Sequence, residues 1–108
     1  AASDVYKRQV RAFIQVYLAG AGLDPKVECH NAHGRSDLEV NVGARLWVFE
    51  LKTAHEGKSA DAALQEAIDQ LTSRRYEEQD AVGKLERVAL VFSLRERRFV
   101  RWAAVPET

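Results

Sequence analysis

The chain has 108 residues, 46% of them hydrophobic, and its 16 lysines and arginines balance 16 aspartates and glutamates. That length fits one domain with a small core, and zero net charge excludes attraction of nucleic acid by the molecule as a whole, so any polyanion must be met by a local patch. A single cysteine, Cys29, excludes an internal disulfide and no spacing resembles a Cys/His zinc site, while the lack of a membrane-length apolar run leads to the expectation of a cytoplasmic protein.

Methionine is absent even at position 1, which implies a piece of a longer protein. Residues 1–9 lack the apolar core of a secretory signal and are read as an N-terminal tail, a candidate sequence-assembly scar, ahead of one domain over 10–108. Val10, Phe13, Ile14, Tyr17 and Leu18 recur at helical spacing, and Gly20, Gly22 and Pro25 then stop the helix. Lys26 to His30 reads as a short strand and Asn31 to Arg35 as a turn. Asp37 to Val42 alternates polar and apolar residues, and Gly43-Ala44 turns the chain into a strand from Leu46 to Lys52 that is apolar on both faces until Glu50, as a central strand should be.

A polar loop from Thr53 to Ser59 leads to a second helix. Ser59 or Asp61 is its N-cap, and Ala63, Leu64, Ala67, Ile68 and Leu71 form its inner stripe to about Glu78. Arg87 to Phe92 and Phe99 to Ala103 complete the set as two more strands, with Trp47 and Trp102 expected to pack in the core or against a helix. The order is α-β-β-β-α-β-β. The long connection through the second helix permits a parallel pair, so the expected architecture is α/β, a mixed sheet of about five strands flanked by helices.

Strand periodicity places Glu50 and Lys52 on one face, ending a row begun by Leu46 and Val48. Taken alone, that is equally the pattern of a strand emerging into solvent with an exposed ion pair of little energetic weight. Asp37 adds a second carboxylate from the neighbouring strand, and two carboxylates in one place repel unless a cation neutralises them. Mg²⁺ suits them, because it takes one or two carboxylates, keeps several waters and borrows oxygens from a substrate phosphate; the carbonyl of Leu51 offers one more ligand, and Mn²⁺ is a substitute ion. Lys52 would then orient an attacking water or offset charge developing on a phosphodiester.

These residues resemble the PD-(D/E)XK nuclease superfamily, most of all the C-terminal nuclease-like domain of bacterial AAA-ATPase-like proteins. The resemblance rests on Gly34-Arg35-Ser36-Asp37-Leu38, on Phe49-Glu50-Leu51-Lys52, and on Ala67-Ile68-Asp69-Gln70-Leu71 with Tyr76, and it extends from about Val10 to Trp102. It implies a restriction-endonuclease-like core, with Asp37 and Glu50 as metal ligands, Lys52 as the catalytic lysine, Gln70 as a polar residue aimed at the site from the second helix, and Glu28 as a further acidic ligand. It also implies DNA, or RNA, as substrate and an ATPase-like region in the parent protein. The chain departs from the pattern where relatives place a tyrosine four residues after the glutamine, since Arg74 stands there.

Arg35, Lys58, Arg74 and Arg75 are the candidate phosphate contacts, with Arg95, Arg97, Arg98 and Arg101 as a second cluster; ordinary surface charge balanced by Glu77, Glu78 and Glu96 is the plain alternative. His30 and His33 are left outside the site, while His55, in the loop after Lys52, could touch substrate although nothing in its spacing requires it. Three readings follow: an Mg²⁺-dependent nuclease acting on DNA, a catalytically silent nucleic-acid-binding or protein-docking module attached to an AAA-type ATPase, and an unrelated small α/β interaction domain.

Overall fold

The structure, a computed structural model, describes residues 2–31, 34–73 and 84–105. Its elements are α1 (Ala2–Gly20), β1 (Lys26–Asn31), β2 (Gly34–Val42), β3 (Arg45–Ala54), α2 (Ala60–Ser73), β4 (Lys84–Ser93) and β5 (Arg98–Ala104), the order that the sequence pattern implies. They build one five-stranded mixed sheet in the order β1-β2-β3-β4-β5, antiparallel throughout except for the parallel pair β3 and β4 that α2 connects. No helix among the described residues is long and apolar enough to cross a membrane.

Each local feature has a chemical cause. Gly43 supplies the left-handed φ of 62° that the tight β2–β3 hairpin requires, and Gly57 one of 99° where His55 and Lys58 bridge in the loop after β3. Ser59 is the N-cap of α2, accepting the Ala62 N–H on its Oγ at 3.1 Å. Toward the other end of the described helix the buried Arg87 of β4 donates from Nη1 to the Leu71 carbonyl at 3.0 Å, tying α2 to the sheet.

The main core lies between α2 and the sheet. Ala63, Ala67 and Leu71 are fully buried against Val48, Leu85, Ala89, Val91 and Val105, with Leu64 and Ile68 packing at the margin. Three small side chains in the contact let helix and sheet approach closely. Strand alternation then assigns Glu50 and Lys52 to the same face as Val48, beneath α2. The opposite face receives α1, which contacts β1 and β3 and shares an apolar groove with Phe92, Leu94 and Phe99.

Two packing expectations are corrected. In α1 the stripe that meets the sheet is Val10, Ile14 and Leu18, at steps of four, whereas Phe13 and Tyr17 lie one position off it and are 73% and 78% exposed. Trp102 is 66% exposed on β5, an edge strand of the sheet. Trp47 is half-buried and stacks on Phe49 with ring centroids 6.4 Å apart. The final stretch expected of α2, up to Glu78, lies outside the described residues.

Candidate active site

The sheet forks at Asp37 and Glu50. The β2–β3 ladder begins at the Gly43 hairpin and stops at the pair Leu38 and Phe49. Beyond that point β2 pairs only with β1, through Ser36, Arg35 and Gly34, while β3 pairs only with β4, through Ala54. Asp37 and Glu50 are the first residues past the split, one on each arm. A main-chain donor stranded in such a gap is costly. The Asp37 carboxylate takes it, since Oδ2 accepts the Leu51 N–H at 2.8 Å. In a strand the carbonyl of a residue points to the same side as its N–H, so the Leu51 carbonyl opens on the same gap.

Both carboxylates are almost wholly buried, with side-chain exposures of 4%. This removes the reading of Glu50 and Lys52 as a strand end emerging into water, because β3 runs on through the buried Thr53 and Ala54. Lysines supply the compensating charge. The Lys52 Nζ stands 3.8 Å from Glu50 Oε2, and the Nζ of Lys7, on α1, stands 3.3 Å from Asp37 Oδ2.

Two contributors are not legible in the motifs. Glu66 of α2 takes Lys52 on Oε1 at 3.3 Å and Lys58 on Oε2 at 2.7 Å, so it ties the lysine of β3 to the loop before the helix. The only sequence signal for it is its place one turn before Gln70. Lys7 is the other, and its signal is the i, i+4 spacing with Arg11, which pairs with Glu28 at 3.2 Å. Lys7 and Arg11, two of the three basic residues of α1, thus reach carboxylates of the β1–β2 hairpin.

Gln70 follows Glu66 by one helical turn. The advance of about 6 Å along α2 matches about two residues of β3, and since the chain runs back along β3, a Glu66 level with Lys52 puts Gln70 level with Glu50. Its Oε1 is buried and accepts no hydrogen bond among the described residues. Glu28 adopts a left-handed φ of 49°, is exposed and gives its carboxylate to Arg11, and among the described residues it forms no three-residue metal cluster with Asp37 and Glu50.

Among the candidate phosphate contacts, Lys58 is engaged by Glu66, while Arg35 belongs to β2 with its side chain outside the described residues, as are Arg74, Arg75 and Tyr76. In the second cluster Arg98 pairs with Glu96 at 2.7 Å and Arg101 with Asp61 at 3.1 Å, which is the ordinary surface-charge alternative. Arg95 instead joins His55 and Lys58 in lining a cavity of about 600 Å³ beside the start of α2.

A family model of the PD-(D/E)XK nuclease superfamily matches residues 6–102. The chain belongs to that superfamily. No curated protein and no solved structure gives a significant match. PD-(D/E)XK nucleases generally depend on a divalent metal, and the donor set here fits one. Among the described residues no three or more His, Cys, Asp or Glu form a ready-made cage. Two buried carboxylates, a main-chain carbonyl and the unpaired Gln70 oxygen are nevertheless the hard oxygen donors that Mg²⁺ accepts while it keeps waters for itself. The nuclease-like fold therefore carries its acidic pair and lysine at one fork of the sheet.

Glu66 also carries a pH signature. The hydrogen bond from Lys58 holds its carboxyl below the usual 4.5, outweighing the opposite push from burial, and Lys52 adds to the lowering. Below pH 4.5 the unfolded chain then binds more protons than the folded one, so the stabilisation is complete above that pH and is lost as pH falls through the lower folded value. Glu66→Gln should flatten the acid limb of the urea midpoint against pH below 4.5. The group is partly exposed, so the change should be small, and an unaltered acid limb would show that the lysine pair contributes nothing net.

Proposed function

We propose that this nuclease-like domain hydrolyses phosphodiester bonds in DNA, with Mg²⁺ as the physiological ion and Mn²⁺ as its substitute. Asp37, Glu50 and the Leu51 carbonyl would hold the metal, which when bound supplies polarisation of the scissile phosphate and a coordinated water of lowered pKa. The observation that carries this reading is the pair of buried carboxylates on the two arms of the fork, with Lys52 beside one of them.

The protein groups have separate tasks. Lys52 shares its ammonium between Glu50 and Glu66, which fixes the long side chain over the row begun by Val48. From there it orients the attacking water or offsets charge on the phosphate as that charge develops. Asp37 is held in one rotamer by the Leu51 N–H, so the donor faces the gap without a further loss of side-chain entropy. Gln70 offers its buried oxygen to a proton on the water side. Lys58, with Arg35, Arg74 and Arg75, would receive the polyanion outside the chemical centre.

The second reading is a docking or nucleic-acid-binding module attached to an AAA-type ATPase region of a longer cytoplasmic parent, with RNA an alternative partner. The exposed Phe13, Val16 and Tyr17 on α1 favour a protein contact.

Calorimetric titration with Mn²⁺ separates the two. A working site binds the ion with wild-type protein, and Asp37→Asn weakens that binding by at least about tenfold, the range expected when one hard ligand is lost from a site with few. Wild type that binds Mn²⁺ and cleaves DNA supports the enzyme; wild type with neither property leaves the docking module.

A further inference from the structure

Lys7 sits where a catalytic ion would have to come. Its ammonium lies against Asp37 Oδ2 at 3.3 Å, and its side chain is 22% exposed while that of Asp37 is 4% exposed. The same oxygen already accepts the Leu51 N–H, so Asp37 spends its better-placed atom on two donors of this chain. Lys7 comes from α1, on the opposite layer from α2, and enters at the fork where the β2–β3 ladder has stopped. One turn further along α1, Arg11 holds Glu28 at 3.2 Å and anchors the helix, so the flexible Lys7 stem can move while its backbone stays in place.

We propose that Lys7 exchanges with the divalent ion at Asp37 and, once displaced, holds the substrate phosphate. This rests on the metal-dependent nuclease reading above. A divalent ion between Asp37 and Glu50 cancels their two negative charges, so Oδ2 no longer attracts the Lys7 ammonium, whereas Lys52 keeps Glu66. The phosphate that the same ion brings in offers the displaced ammonium a new anion. Before substrate and metal arrive, Lys7 keeps the buried Asp37 charge-compensated, which an empty acidic site otherwise lacks. Lys7 also lies within the stretch matched by the superfamily.

The test compares wild type, Lys7→Gln and Lys7→Arg in two titrations: Mn²⁺ alone by calorimetry, and a short phosphorothioate DNA duplex in saturating Mn²⁺ by fluorescence anisotropy. Lys7→Gln should bind Mn²⁺ about fivefold more tightly, as expected from loss of a partly screened competing ion pair. The same variant should bind the duplex more weakly, with the slope of log affinity against log salt reduced by about one. Lys7→Arg should restore the duplex affinity. A side chain that merely props up the fold would weaken both titrations together, and that outcome overturns the exchange. Mn²⁺ affinity unchanged in Lys7→Gln overturns it as well, with the metal site itself left standing. Duplex affinity equal in wild type and Lys7→Gln overturns the phosphate role alone. If wild type binds neither Mn²⁺ nor duplex, the metal-nuclease reading fails and the exchange fails with it.

Discussion

Glu50→Ala is expected to reduce metal-dependent DNA cleavage by at least about 100- to 1,000-fold in kcat, the range typical of removing one preorganised electrostatic group from a buried site. The carboxylate is nearly inaccessible and stands beside Lys52, so water cannot take its place cheaply. Its removal costs the site a hard oxygen ligand and half of its negative charge. Lys52 retains Glu66 at 3.3 Å, so the lysine is not left without a counter-charge and the fold should survive. Single-turnover cleavage in saturating Mn²⁺, run beside a circular-dichroism check of folding, reads the effect directly. A fully active Glu50→Ala protein would place the chemistry elsewhere, and a folded variant with unchanged Mn²⁺ affinity would remove Glu50 from the ligand set.

The largest effect on stability should come from Leu71→Ala. Leu71 is fully buried where α2 meets Val48, Leu85, Ala89 and Val105, and its carbonyl receives Arg87. Truncation removes apolar contact and leaves a void that the sheet cannot close, a cost of about 2–5 kcal/mol. In a domain of this size that corresponds to a fall of roughly 10 °C or more in Tm. Urea unfolding should show the same loss as a lower midpoint with little change in slope. Since the Gln70 oxygen depends on the position of this helical turn, cleavage in saturating Mn²⁺ should also slow in the variant at temperatures where it is folded. A midpoint within error of wild type would mean that the C-terminal turn of α2 is not part of the cooperative core.

Much of this was legible from local pattern. Alternation from Leu46 to Lys52 placed Glu50 and Lys52 on one face with Leu46 and Val48, and the structure packs Val48 of that face under α2. The stripe of Ala63, Ala67 and Leu71 followed from the 3.6-residue period, and of the two cap candidates, Ser59 and Asp61, the structure uses Ser59. Exposure was harder to read. Phe13, Tyr17 and Trp102 fit apolar periods yet lie largely in solvent, because a period names a face and does not say how much of that face another element covers.

What the sequence by itself determined is the set of elements and their order, since these depend on short-range periodicity, while motifs read along the chain nominate Asp37, Glu50 and Lys52 as the candidate site. The tertiary structure alone decided that β2 and β3 part at those residues, that Asp37 caps the stranded Leu51 N–H, and that Glu66 and Lys7 supply charge from two different layers. The physical reason is distance along the chain. Asp37 and Leu51 are 14 residues apart, and Lys7 lies still farther from Asp37, on another layer. Burial makes such long-range pairs matter, because a carboxylate removed from water must find its donors wherever the fold brings them.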